Sequence, residues 1–119
     1  MPEFGDDQQK LQELRTRIWE RTKDLTFARM TVLERVSQAL VSGHFTANQQ
    51  VEAANEAHKL AGSLGAIGLL EECQVTQAME HILKRQGELT AEDGERLEQL
   101  LLQLRRHLAD ASKRLSRNS

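Results

Sequence analysis

A single cysteine, Cys73, a single proline, Pro2, and no tyrosine mark this chain of 119 residues. One cysteine excludes an intrachain disulfide and fits a reducing compartment. Aromatic residues make up only 3% of the chain. No alternating apolar pattern accompanies them, so strands are not expected. No apolar run approaches the ~20 residues that span a bilayer, and no secretory leader pattern opens the sequence. The expectation is a soluble, cytoplasmic protein without membrane insertion. Sixteen basic residues stand against eighteen acidic ones, a formal net charge of −2. This excludes the basic excess that a general nucleic-acid binder needs. The length suits one domain with a core that requires no disulfide or metal staple.

What is present reads as helix. No glycine or proline falls between Gln8 and Val41. Leu11, Leu14, Ile18, Leu25, Val32, Leu33, Val36 and Leu40 recur at helical spacings there. This predicts one long first helix, or two with a joint near Asp24 to Thr26, ended by Gly43. Thr46 and Gln49 match a capping box and open a second helix, with Ala53, Ala57, Leu60 and Leu64 on its core side. Glycines stop it by about Gly68. A third helix is expected from about Leu69 to Arg85, with Val75, Ala78, Met79 and Ile82 inward. Thr90 and Asp93 resemble another capping box, and Leu97, Leu100, Leu101, Leu104 and Leu108 form the stripe of a last helix. Four helices with short joints predict an all-α, antiparallel four-helix bundle over residues 8–115, with a long or broken N-terminal helix. Residues 1–7 include Pro2-Glu3-Phe4, which reads as a cloning remnant, and are expected to be disordered or foreign to the fold. Residues 116–119 are expected to fray.

The stretch "EAHKLAGSLGAIGLL", Glu56 to Leu70, places Gly62 and Gly65 four and seven residues after His58. Glycine in a helix interior costs about 1 kcal/mol relative to alanine. At about 100° per residue, Ala54, Gly62 and Gly65 flank His58 on one stripe, apart from the leucine arc. Small residues there leave the imidazole open to a large partner. Glycines at this spacing equally permit close packing of a neighbouring helix, or a helix end.

"AHKLAGSLGAIG" resembles the signature of histidine-containing phosphotransfer (HPt) domains, with Ala57, His58, Leu60, Gly62, Ser63 and Gly68 on the family's positions. The likeness extends through helix order and length over roughly residues 19–108. Many family members carry lysine three residues after the histidine, where this chain has Ala61; Lys59 is the adjacent cation instead. The resemblance implies a phosphorelay intermediate of two-component signalling. His58 would accept a phosphoryl group from a receiver-domain aspartyl phosphate and pass it to another receiver. It also implies that Glu80, on the next helix, orients the imidazole.

Transfer of this kind depends mainly on alignment and charge. His58 therefore needs exposure, a fixed tautomer and nearby positive charge. Cys73, Gln77, Glu80 and Lys84 form one stripe of the third helix, apart from its apolar residues. Lys59, Lys84 and Gln77 are candidate contacts to the phosphate or the histidine. Gly62, Gly65, Ala54 and Val51 are candidates for partner access and docking. The chain has no phosphate-binding loop and no kinase signature, so phosphate must come from a protein donor. No cofactor of its own is expected, and Mg²⁺ is expected on the partner receiver. His44, His58, His81 and His107 are widely spaced and match no local zinc pattern. The fold is expected to work as a monomer. The alternative is a non-catalytic helical interaction module, either a degenerate HPt domain or a coiled-coil dimeriser. Arg21 and Arg35 at intended seam positions weaken the coiled-coil version.

Overall fold

The computed structural model describes residues 2–117, with side chains placed for residues 7–115. These residues form four helices: α1 (Pro2–Ser42), α2 (Ala47–Ala66), α3 (Leu70–Leu83) and α4 (Ala91–Arg117). No strand occurs among them. The antiparallel bundle expected from the sequence is what they build. Thr16 Oγ1 near one end of α1 meets the carbonyl of Leu115, while Glu34 further along pairs with Arg105. Likewise α2 and α3 run oppositely, with Gln50 Nε2 donating to the Leu83 carbonyl at 2.9 Å.

α1 is one continuous helix of 41 residues, without a joint near Asp24 to Thr26. At 1.5 Å per residue it measures roughly 60 Å, close to the molecule's longest extent of 58 Å. It begins at Pro2, so residues 2–7 are continuous with it, and α4 runs on to Arg117. Met1 and residues 118–119 lie outside the described residues.

The core of α1 corrects the expectation. Leu11, Leu14 and Leu25 are about half exposed, and Ile18 and Val32 are only partly buried. Leu33, Val36 and Leu40 are buried as expected, and Thr16, Trp19, Thr26, Met30 and Ser37 complete the seam. Its hydroxyls are satisfied within the helix: Thr26 donates to the Thr22 carbonyl and Ser37 to the Glu34 carbonyl. A hydroxyl bonded back to its own helix carries little burial penalty, so these residues pack as small apolar groups.

The remaining helices follow their leucine stripes. Leu60 and Leu64 of α2, Met79 and Leu83 of α3, and Leu97, Leu104 and Leu108 of α4 are essentially inaccessible. Burying each such side chain is worth about 1.5–3 kcal/mol. Ala78 and Ile82, expected inward, are half-buried at the margin.

Both predicted capping boxes are present. Thr46 Oγ1 accepts from the Gln49 amide and Gln49 Oε1 from the Thr46 amide. Thr90 and Asp93 exchange the same two bonds. α2 ends in a Schellman turn: the Gly68 amide donates to the Gly65 carbonyl and the Leu69 amide to the Leu64 carbonyl. This needs the left-handed φ of +80° at Gly68. The turn folds α3 straight back along α2, which places the site. At the opposite end Gly94 lets α4 cross α1 closely. A Cβ there would lie 2.8 Å from Leu40 Cβ and 3.0 Å from the Ser37 carbonyl oxygen.

Candidate functional site

His58 stands in the middle of α2 with its side chain 72% exposed. Core residues Ala57 and Leu60 pull the adjacent faces of the helix inward, leaving the imidazole outward. Glu80 reaches it from α3: Nδ1 of His58 lies 2.9 Å from Oε2 of Glu80. The Glu80 side chain is only 14% exposed. It is therefore held between the helices rather than waving in solvent.

The same carboxylate oxygen lies 2.5 Å from Nζ of Lys84, one turn further along α3. The hydrogen bond from Lys84 is the main reason that the Glu80 carboxyl sits below its ordinary value of 4.5. Burial opposes this to a smaller extent, and the bond to His58 adds to the lowering. Glu80 is thus an anion throughout the neutral range. An anion can only accept, so it favours the tautomer with the proton on Nδ1 and the lone pair on Nε2.

The other candidates divide. Lys59 is exposed and makes no ion pair among the described residues. Lys84 is shared with Glu80 yet remains 57% exposed. Gln77 is exposed and makes no hydrogen bond to His58. Ala61, where the family lysine would stand, is buried at 5%. The cations beside the histidine are therefore Lys59, next to it in the chain, and Lys84, through Glu80.

Of the four docking candidates, two are corrected. Ala54 is 9% exposed and belongs to the core. Gly65 faces α3, where an added Cβ would meet Cys73 Sγ at 3.3 Å; its lack of a side chain serves helix packing. Gly62 is open, with nothing within 4 Å of the position a Cβ would take. Val51, two turns before His58, is 62% exposed. Val51, His58 and Gly62 are therefore the exposed members of this set.

Arg29 is a residue that the sequence pattern does not single out. Its Nη1 donates to Ser63 Oγ at 3.3 Å and its Nε lies 3.4 Å from Glu56 Oε2. It fastens α2 to α1 from the side of α2 that carries Glu56 and Ser63. A partly buried arginine reaching 34 residues onward in the chain has no local sequence signal.

The model of the Hpt domain family matches residues 8–107. The chain belongs to the Hpt domain family. Hpt domains serve as phosphorelay intermediates in two-component signal transduction, where they interact with receiver domains. This Hpt domain is 33% identical to Protein RcaC of Microchaete diplosiphon over 79 residues. The match covers 66% of the chain but 12% of the relative's length. No solved structure matches it. Among the described residues, no helix is long and apolar enough to cross a membrane.

Proposed function

We propose that His58 is the phosphoryl acceptor of this Hpt domain and that Glu80 positions its imidazole. The observation that carries the reading is an exposed ring whose Nδ1 is held 2.9 Å from a half-sequestered carboxylate. The Nε2 lone pair attacks the phosphorus of a receiver aspartyl phosphate. The P–O bond to the aspartate breaks, a P–N bond forms, and the aspartate departs as carboxylate. The ring then carries positive charge with its proton still on Nδ1, and Glu80 offsets that charge. The onward step is the reverse, with the aspartate of a second receiver attacking the phosphoramidate.

Transfer of this kind requires little covalent work from the protein. The receiver contributes the aspartate and the Mg²⁺ of the reaction. This chain contributes the nucleophile, with Lys59 and Lys84 as positive charge beside it. The open stripe of Val51 and Gly62 is where the receiver approaches.

Incubation with a phosphorylated receiver domain tests the reading. The expected product is an acid-labile, base-stable phosphate on this chain, absent from H58Q. Transfer that survives H58Q removes His58 from the role. No transfer from any of several receivers would make the domain a non-catalytic interaction module instead.

A further inference from the structure

The exposed apolar residues of α1 are not scattered. Leu11, Leu14, Ile18, Leu25, Ala28 and Val32 recur at alternating steps of three and four residues once Arg21 is counted in the row. That is the spacing of a coiled-coil seam. Leu11, Leu14 and Leu25 are half exposed, Arg21 and Ala28 are exposed, and Ile18 and Val32 are only partly buried. The row lies beside the buried seam, which α4 takes: Thr16 bonds to Leu115 and Trp19 to Ser112. α2 reaches α1 at Arg29, next to the row. Single exposed leucines are ordinary. A periodic row of them along one helix is a packing face.

Charge decides what fits it. Two parallel copies of α1 would set Arg21 against Arg21 within the seam and Lys10 beside Arg15 at its edge. An antiparallel pair centred between residues 19 and 20 instead stacks Leu11 on Ala28, Leu14 on Leu25 and Ile18 on Arg21, each layer occurring twice. At the flanks Arg17 meets Asp24 of the other copy, also twice, and Arg15 meets Thr22. Arg17 and Asp24 are both exposed. A slip of one heptad in one direction sets Arg17 against Arg17 and Arg15 against Arg15. The opposite slip sets Asp24 against Asp24 and Arg15 against Arg29. The centred register alone of these three has no like charges at facing positions.

We propose that this face of α1 pairs antiparallel with α1 of a second copy of the chain, in the centred register. The aliphatic stem of Arg21 covers Ile18 of the other copy while its guanidinium stays in water. One polar residue in a seam costs stability and fixes register. The layers end at Ala28, short of Arg35. α2 turns Glu56 and Ser63 toward α1 but His58 toward Glu80 on α3. The paired face and the His58 ring are therefore on different sides of α2.

Sedimentation equilibrium of the whole chain, carried to millimolar concentration, tests this without reference to phosphotransfer. A concentration-dependent monomer–dimer equilibrium is expected. L14E and L25E, at exposed positions, should abolish it and keep the circular dichroism of the parent. R17E and D24R should each weaken dimerisation by roughly tenfold, since two like-charge contacts replace two complementary ones, and R17E/D24R should restore it. In a C73S background, mixing L14C with L25C should give the mixed disulfide in excess over either homodimer. A monomer at every concentration overturns the proposal. So does a dimer that L14E and L25E leave intact, a charge swap that fails to restore pairing, or a predominance of L14C homodimers.

Discussion

Glu80 holds His58 from the neighbouring helix, with Oε2 of the one 2.9 Å from Nδ1 of the other. The same oxygen accepts from Lys84 at 2.5 Å. One carboxylate therefore links the His58 ring to a cation.

Removing that carboxylate should slow transfer without unfolding the domain. A hydrogen bond to a charged group is worth about 1.5–3 kcal/mol, or roughly 10–100-fold in rate if fully expressed in the transition state. E80A is expected to lose about that much in single-turnover transfer from a phosphorylated receiver. E80Q, which keeps an acceptor but no charge, should lose less. Circular dichroism of both variants should match the parent.

The pH response of Glu80 follows from its depressed pKa. The folded carboxyl, held down chiefly by Lys84, titrates below its ordinary 4.5. The unfolded state therefore binds the proton first. The stability that this group contributes is fully present above the ordinary carboxylate range, and is lost as pH falls through the folded value. Carbon-detected NMR should show a Glu80 midpoint below 4.5. In K84M that midpoint should move up, because the largest cause is gone.

Gly62 separates access from stability. Nothing lies within 4 Å of a Cβ placed there, so G62A should fold and gain up to about 1 kcal/mol of helix stability. G62L should also fold, yet its bulk one turn from His58 should slow transfer from a receiver. Chemical denaturation and transfer kinetics on the same two variants check this. Equal transfer rates in the parent and G62L would show that this stripe is not where the receiver docks.

Gly94 should behave oppositely. Its added Cβ would meet Leu40 Cβ and the Ser37 carbonyl at 3.0 Å or less, and neither is the loose end of a side chain. Overpacking of this kind costs typically 1–3 kcal/mol, against a gain of about 1 from helix propensity. G94A is expected to lower Tm by several degrees in a thermal melt.

Most of the bundle was legible because leucine carries it. The stripes of α2 and α4, both threonine caps and the stop at Gly68 are local patterns, and each is where the sequence puts it. α1 was misread in part, at Leu11, Leu14 and Leu25, because its seam also uses Thr16, Thr26 and Ser37, and hydropathy does not reveal that a hydroxyl is satisfied by its own helix. At the site, the pairing of His58 with Glu80 was readable only through the family resemblance. Gly65 and Ala54 were misassigned because the angle around a helix axis does not say where the neighbouring helix lies. Arg29 with Glu56, and Glu71 with His107, join segments far apart in the chain and leave no periodic trace.

The turn at Gly68 has a kinetic consequence. His58 and Glu80 lie on consecutive helices joined by a tight reversal, so bringing them together closes only a short stretch of chain and costs little loop entropy. The His58–Glu80 pair can form as soon as this hairpin docks, before the distant ends of α1 and α4 meet. Lengthening the polypeptide at either terminus, as when the domain is carried within a larger protein, adds nothing to that closure.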